Sequence, residues 1–76
     1  MASVKSLSEI AVGESGRVSA LLADGSIRQR LSDLGVIPGT VIFCVGKSPF
    51  GDPRAYLIRG AVIAIRRRDA RNIIIY

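Results

Sequence analysis

Hydrophobic residues follow a helical spacing in one stretch of the chain, residues 26–34. Ile27, Leu31 and Leu34 stand at positions i, i+4 and i+7, so in a helix they would lie on one face. The polar residues between them would then face solvent. The pattern therefore predicts a short amphipathic helix that is anchored by these three side chains.

The residues at both ends of this stretch are of the kinds that start and stop helices. Ser26 and Gln29 have the spacing of a capping box, in which each side chain pairs with a backbone N–H of the first turn. Gly35 follows where a residue in the left-handed conformation would end the helix, and Pro38 prevents the helix from restarting. Pro38 and Gly39 together indicate a turn that leads into the next apolar run. These residues form the structural motif on which the predicted helix depends.

Five further stretches have the short apolar or alternating pattern of β-strands. In the first of them, Val18, Ala20 and Leu22 alternate with Arg17 and Ser19. Leu21 breaks this alternation. Short strands with close turns, and one short helix inserted after the first strand, predict a mainly β fold and a small, partly open barrel. The predicted strands are residues 17–23, 41–45, 55–59, 62–66 and 72–76.

Two apolar segments outside these elements are expected to lie at the ends of the barrel. Residues 7–10 would form one helical turn, whose Leu7 and Ile10 cover an open end. Phe50 stands at the tip of the loop formed by residues 47–53. Burying a phenylalanine side chain stabilises a protein by about 1.5–3 kcal/mol, which slightly favours a Phe50 that folds back over the barrel as a plug. The alternative is a Phe50 that stands out to contact a partner.

The small inventory of reactive side chains excludes most catalytic and metal sites. The 76 residues include one cysteine, Cys44, and no histidine. A Ser–His–Asp or Cys–His arrangement is therefore impossible, and a zinc or transition-metal site of nitrogen and sulfur ligands cannot be assembled. The six carboxylates are scattered singly, and none belongs to a recognisable ion-binding loop. We expect one domain over residues 1–76, with no catalytic residue, no metal ligand and no cofactor.

The chain combines a net positive charge with a high content of hydrophobic residues. Eleven Lys and Arg against six Asp and Glu give a net charge of +5, yet 49% of the residues are hydrophobic. Because a small barrel has few interior positions, some apolar side chains are expected outside.

The N-terminal stretch lacks the apolar core of a signal peptide and no segment approaches a membrane span, which favours the cytoplasm. The basic run at residues 66–68 leaves nucleic-acid binding as an alternative function, with a solvated basic turn as the plainer interpretation.

Two arginines stand in the first turn of the predicted helix. Arg28 and Arg30 lie where the helix dipole disfavours cations by about 0.3–1 kcal/mol. A solvated helix face would tolerate that cost, whereas a binding role would direct both guanidinium groups at a partner. An arginine finger for a GTPase is a further alternative, which only the residue type supports.

Three motifs in order cover most of the chain. Residues 30–40 read R-L-S-D-L-G-V-I-P-G-T, residues 49–53 read P-F-G-D-P, and residues 64–70 read A-I-R-R-R-D-A. At these spacings they resemble the FeoA family of small cytoplasmic partners of FeoB, the bacterial ferrous-iron permease. The resemblance implies an SH3-like β-barrel and a regulatory or assembly role at the cytosolic, GTP-binding part of the permease, with the membrane reached only through that partner. It implies transition-metal binding only at the level of the family. The three consecutive arginines at residues 66–68 depart from the family, whose members commonly carry an acidic residue or two in this turn.

The resemblance also distinguishes the two faces of the strands, which periodicity cannot do where both faces are apolar. It implies a core-facing set at Ile42, Cys44, Tyr56, Ile58, Ile63, Ile65, Ile73 and Ile75. It implies an outward-facing set at Val41, Phe43, Leu57 and Val62. On neighbouring strands the outward set would form an exposed apolar patch for a partner or for a second copy of the chain. The alternative is a bent strand that buries Phe43 under the loop of residues 49–53.

Overall fold

The strands form one antiparallel sheet in a computed structural model that describes residues 5–76. The six strands lie in the order β1-β6-β2-β3-β4-β5. Their bounds are β1 Lys5–Ser6, β2 Ser15–Leu21, β3 Val41–Lys47, β4 Arg54–Ile58, β5 Ala61–Ile65 and β6 Ile73–Ile75. The helices are a 3-10 turn at Leu7–Glu9, α1 at Gly25–Asp33 and α2 at Arg67–Ala70. The expectation about the N-terminal stretch falls in part on residues 1–4, outside the described range.

The mainly β fold class and the helix after the first predicted strand are confirmed. The strand β1 was not predicted, because two residues carry no alternation that could reveal it. The short helix α2 replaces a predicted turn, and it begins after the extended residue Arg66. The 3-10 turn lies where one helical turn was expected, and both Leu7 and Ile10 are fully buried at its ends. Within residues 5–76, no helix is long and apolar enough to cross a membrane.

The core lies on the inner side of this sheet and under the helices. Alternate residues of β3 and β4 point into it because successive side chains of a strand face opposite sides. The buried apolar residues form one cluster made of Leu7, Ile10, Val18, Leu21, Leu31, Val36, Ile42, Cys44, Tyr56, Ile58, Ile65, Ala70, Ile73 and Ile75. The partly buried Ile63 packs against this cluster. The core-facing set implied by the resemblance therefore lies on the inner side of the sheet.

Strand β2 departs from the regular alternation of the sequence near its end. The pairing of β2 with β6 shifts register between Val18 and Ala20, which leaves Ser19 as an extra residue. Because of this bulge, Leu21 turns into the core whereas Leu22 is 65% exposed. The alternation of Val18, Ala20 and Leu22 therefore does not continue to the end of the strand, and Leu21, which breaks it in the sequence, is the buried residue.

The start of helix α1 also differs from the prediction. The chain changes from extended to helical at Asp24, so Gly25 opens the helix and Ser26 lies within its first turn. A Ser26–Gln29 capping box does not form at that position. The Gln29 side-chain amide instead donates to Asp33 Oδ1 at 2.9 Å, one helical turn further on.

The end of α1 follows the prediction closely. Gly35 has a φ of +100°, and its N–H donates to the carbonyl of Ser32 at 2.9 Å. The N–H of Val36 donates to the carbonyl of Leu31, also at 2.9 Å. These two bonds form a Schellman motif, which satisfies carbonyls that the helix end would leave unpaired.

The turn after the helix delivers the chain into β3. Gly39 has a φ of +94°, and the N–H of Thr40 donates to the carbonyl of Ile37 at 3.1 Å. Pro38 followed by a residue with positive φ is the arrangement of a type II turn. The predicted turn at Pro38 and Gly39 is therefore confirmed.

The apolar stripe of α1 is narrower than predicted. Leu31 is 1% exposed, whereas Ile27 and Leu34 keep 38% and 37% of their surface in solvent. Leu31 is the residue of α1 that enters the core, and the other two flank it.

Candidate protein-interaction face

The outward side of the sheet carries one apolar row across three neighbouring strands. Phe43 of β3 lies opposite Leu57 of β4, and Leu57 lies opposite Val62 of β5. Directly paired residues have Cβ atoms about 4.5–5.5 Å apart, so side chains in such a row touch one another. We call Phe43, Leu57 and Val62 the apolar row.

The row lies within a larger face. Val45 shares the outward side of β3 with Phe43, and Ala55 of β4 pairs with Ala64 of β5 beside the row. The apolar face is therefore made of Phe43, Val45, Ala55, Leu57, Val62 and Ala64. Val45 was not predicted to belong to the patch, although the alternation of β3 placed it on the same side as Phe43.

Solvent reaches most of this face. Phe43 and Val45 are each 46% exposed and Val62 is 66% exposed, whereas Leu57 is half-buried between its neighbours. The alternative in which β3 bends and buries Phe43 was therefore wrong. The strand stays regular at Phe43 because its partner Leu57 is in register on β4, and the shift in pairing comes only after Cys44.

Val41 lies at one margin of the face and is half-buried. It pairs with Arg17 of β2, whose Nη1 reaches the carbonyl of Gly39 at 3.5 Å. The predicted outward residue therefore borders a cation. The apolar face has a basic margin on this side.

Phe50 does not plug the barrel. It is 96% exposed at the centre of a turn in which the N–H of Gly51 donates to the carbonyl of Ser48 at 2.8 Å. The slightly favoured plug was wrong, because this turn closes through its own backbone and directs its central side chain away from the sheet. Phe50 remains a candidate contact residue in a separate part of the surface.

Arg28 and Arg30 both have partners within the chain. The Nη1 of Arg28 donates to the carbonyl of Leu21 at 2.9 Å, which ties the first turn of α1 to the end of β2. Arg30 Nη2 lies 3.6 Å from Asp69 Oδ2, and the Arg30 side chain is 67% exposed. The structure places neither arginine in the apolar face, and no sequence signal indicated the carbonyl contact of Arg28.

A shallow polar depression lies between the 3-10 turn and α2. Arg54 Nη1 donates to the carbonyl of Ile10 at 2.5 Å, and Asp52 Oδ1 accepts the N–H of Arg67 at 2.8 Å. Burial raises the pKa of the Tyr56 hydroxyl above its ordinary value of 10.0. The polar groups here fasten neighbouring segments to one another, and the depression is too tight for a bound molecule. Its lining is Ser8, Gly51, Asp52, Arg54, Tyr56, Ile65 and Arg67.

Metal ligands are not brought together in the part of the chain that the structure describes. No group of three or more Cys, Asp or Glu side chains converges there. Cys44 is buried in the core, with its Sγ 3.8 Å from the carbonyl of Gly46. A buried thiol among aliphatic side chains behaves as a small hydrophobic residue.

Comparison with known proteins gives a consistent set of matches. The family model described as the FeoA domain matches residues 5–76. The FeoA-like protein from Clostridium acetobutylicum is similar with a TM-score of 0.89 and 29% identity, over 100% of this chain and 88% of that chain. FeoA from Chlorobium tepidum is similar with a TM-score of 0.88 and 30% identity, over 95% of this chain and 69% of that chain.

A third similar structure bears on fold and function. Stenotrophomonas maltophilia FeoA, complexed with zinc, has a TM-score of 0.84 and 26% identity, over 95% of this chain and 89% of that chain. It is described as a procaryotic SH3 domain protein and as a candidate activating factor of bacterial ferrous iron transport. That description agrees with the SH3-like architecture expected for this sheet. Among curated proteins, none matches this chain.

Proposed function

Because the chain belongs to the FeoA family, we propose that it is a non-enzymatic accessory domain of ferrous-iron uptake that acts by docking on a protein partner. The partner is the cytosolic, GTP-binding part of a FeoB-type permease, and the chain acts on the cytoplasmic side. Its role is regulatory or assembly-supporting.

The apolar face is the single observation that carries this proposal. Phe43, Val45 and Val62 expose large apolar side chains on one side of the sheet, and Leu57 joins them into one surface. Soluble proteins seldom expose contiguous apolar surface without an interaction that covers it. Aromatic residues such as Phe43 are also enriched at the centres of protein interfaces.

The chemistry of the chain supports a binding role over catalysis. Histidine is absent from the sequence, the single cysteine is buried, and Arg28 and Arg30 are held by partners within the chain. A catalytic nucleophile needs a neighbouring base within hydrogen-bond reach, and Cys44 has only a backbone carbonyl.

The substitution Phe43→Glu tests the apolar face. We expect a folded, more soluble protein whose affinity for the purified cytosolic domain of the permease falls at least about ten-fold, because a carboxylate is then buried in the interface. Leu22→Glu is the matched control, since Leu22 is 65% exposed but lies outside the apolar face. Circular dichroism checks the fold of both variants, and calorimetry measures binding.

Three results would count against the proposal. Unfolding of Phe43→Glu would mean that Phe43 belongs to the core. Unchanged binding of Phe43→Glu, or equal losses in both variants, would mean that the face is not the docking site. Affinity for nucleic acid that falls steeply with salt would favour the alternative of a basic nucleic-acid-binding barrel, whereas an apolar interface weakens little with salt.

A second copy of the chain is a further candidate occupant of the apolar face. Sedimentation of the parent protein and of Phe43→Glu separates this case from the permease. A dimer that Phe43→Glu dissociates would assign the face to self-association.

A further inference from the structure

Strand β5 forms one edge of the sheet. Its five residues read A-V-I-A-I, and among residues 5–76 it pairs only with β4. Natural sheets usually protect an edge with a charge, a proline or a bulge, because unpaired backbone groups there recruit other strands. β5 carries none of these devices.

The hairpin geometry shows which backbone groups of β5 are unpaired. Arg59 and Gly60 have φ values of 49° and 85°, which is the pattern of a two-residue type I′ turn. Ile58 and Ala61 flank that turn and pair with each other. In such a hairpin the flanking residues exchange both hydrogen bonds, and bonded pairs then alternate along the ladder.

Alternation from Ala61 therefore directs the backbone groups of Ile63 toward β4. The N–H and C=O groups of Val62 and Ala64 point away from β4, to the free side of the edge. Val62 and Ala64 are also the β5 residues whose side chains belong to the apolar face. The edge and the face thus meet at the same two residues.

We propose that β5 accepts an extended segment of the protein partner, which adds to the sheet as a further antiparallel strand. The segment is apolar in its middle and acidic at its ends. This inference rests on the proposed docking function and specifies how the docking occurs.

The apolar character of the added segment follows from the register of the sheet. A new strand would place one side chain beside Val62, and this would extend the apolar row of Phe43, Leu57 and Val62 by one residue. The neighbouring pair Ala55 and Ala64 is small. A larger apolar side chain opposite Ala64 would therefore find room on the apolar face.

The acidic ends follow from the charges around the edge. Arg59 precedes β5 and Arg66 follows it, and both residues are exposed. The carboxylates nearest in sequence are already engaged, because Asp69 pairs with Arg30 and Asp52 accepts the N–H of Arg67. The Arg30–Asp69 contact is the one ion pair among residues 5–76. Carboxylates of a partner would neutralise the cations at both ends of the edge.

A second copy of the chain fits this edge poorly. The exposed Arg59 and Arg66 flank β5 in each copy, so two antiparallel copies joined along this edge would bring arginines together at both ends. Like charges brought together across a sheet are destabilising, and each copy carries a net charge of +5. The charges therefore favour an acidic partner segment over self-pairing.

A synthetic peptide tests the edge without the permease. The probe alternates valine and threonine and is flanked by glutamates, and the control peptide has lysines in place of the glutamates. We expect the glutamate peptide to slow hydrogen exchange of the Val62 and Ala64 amides at least about ten-fold, while the lysine peptide binds at least about ten-fold more weakly. Amide exchange is followed residue by residue with NMR.

Substitutions at Ala64 separate the backbone from the side chain. Ala64→Pro removes an N–H that no strand of the described sheet uses, so the fold should persist while peptide affinity falls at least about ten-fold. Ala64→Ser keeps the N–H and should bind like the parent. The exchange measurement on the parent protein decides the question even if the proline variant fails to fold.

The inference fails if a saturating peptide leaves the Val62 and Ala64 amides unprotected, or if Ala64→Pro binds like Ala64→Ser. It also fails if the Val62 and Ala64 amides are protected without peptide in a concentration-dependent dimer, which would mean that a second copy pairs with this edge.

Permease binding that is lost in Phe43→Glu but retained in Ala64→Pro would support the proposed function and overturn strand addition. Peptide binding without permease binding would support strand addition and overturn the proposed function.

Discussion

Leu31 illustrates how one residue holds a short helix on a small sheet. It is 1% exposed, and its carbonyl also accepts the N–H of Val36 in the Schellman motif. Val36 is buried beside it in the same core cluster. The side chain and the backbone of Leu31 thus both secure the end of α1.

We predict that Leu31→Ala lowers the free energy of unfolding by about 2–5 kcal/mol, through lost burial and the cavity left behind. Such a loss is a large part of the stability of a small domain. Leu34→Ala is the control, because Leu34 is 37% exposed and should cost much less. Urea denaturation measures both, and equal losses would show that Leu31 is not the anchor.

The buried Tyr56 hydroxyl makes the stability of the fold depend on pH. Burial raises the pKa of its hydroxyl, so the folded state keeps a proton that the unfolded chain loses near pH 10.0. The contribution of Tyr56 to stability is therefore complete below that pH, and it is lost as the pH rises through the higher folded pKa.

We predict that Tyr56→Phe reduces the loss of stability between about pH 8 and pH 11, because the buried hydroxyl no longer has to ionise on unfolding. Urea midpoints at both pH values measure the change. Tyr76→Phe, at a tyrosine that is 75% exposed, is the matched control and should leave the alkaline loss of the parent in place. An identical alkaline loss in Tyr56→Phe would contradict the prediction.

At the scale of elements, the joint between β2 and β6 depends on a close approach. Gly16 of β2 is buried, and a Cβ atom placed on it would lie 3.1 Å from Ile75 Cβ and 3.2 Å from Ile75 Cγ1. It would overlap the Cδ1 methyl of Ile75. The side chain of Ile75 thus fills the space over the glycine, and this requirement is one of packing.

We predict that Gly16→Ala costs about 1–3 kcal/mol of stability through overpacking. Ile75→Val removes the overlapping methyl group and by itself should cost about 0.5–1.5 kcal/mol. The double variant should be more stable than the sum of the two losses implies, because the clash is relieved. Strict additivity in a double-mutant cycle would argue against this contact.

At the scale of the whole molecule, most carboxylates are committed to internal contacts. Five of the six accept a hydrogen bond or pair with a cation, and these are Glu9, Glu14, Asp33, Asp52 and Asp69. The net charge of +5 is therefore carried by guanidinium and ammonium groups at the surface, around an apolar face. This surface suits an acidic, partly apolar protein partner better than a cation.

We predict that the dialysed monomer retains neither zinc nor ferrous iron in stoichiometric amount and does not hydrolyse GTP alone. The sequence has no histidine, and five of its six carboxylates would have to leave existing partners to bind a metal. Elemental analysis and phosphate release measure the two quantities. Stoichiometric metal in a monomeric sample, or GTP turnover by the isolated chain, would overturn the prediction.

Much of the fold could be predicted from local patterns. Gly35 and Pro38 marked the end of α1 because left-handed conformation and a missing N–H are properties of single residues. Both faces of β3 are apolar, so alternation defined two sets but did not decide between them. The family resemblance assigned Phe43 to the outside, where it is 46% exposed.

Composition and periodicity specify which chemistry is possible and the positions of α1 and of five of the six strands, because they are properties of neighbouring residues. The features that join distant segments arise only in the folded chain. Leu21 is buried by a bulge against β6, Arg30 meets Asp69, and β5 becomes an edge. Each of these depends on pairing between residues far apart in the chain, and the free energy of such pairing is set by the whole sheet rather than by any local pattern.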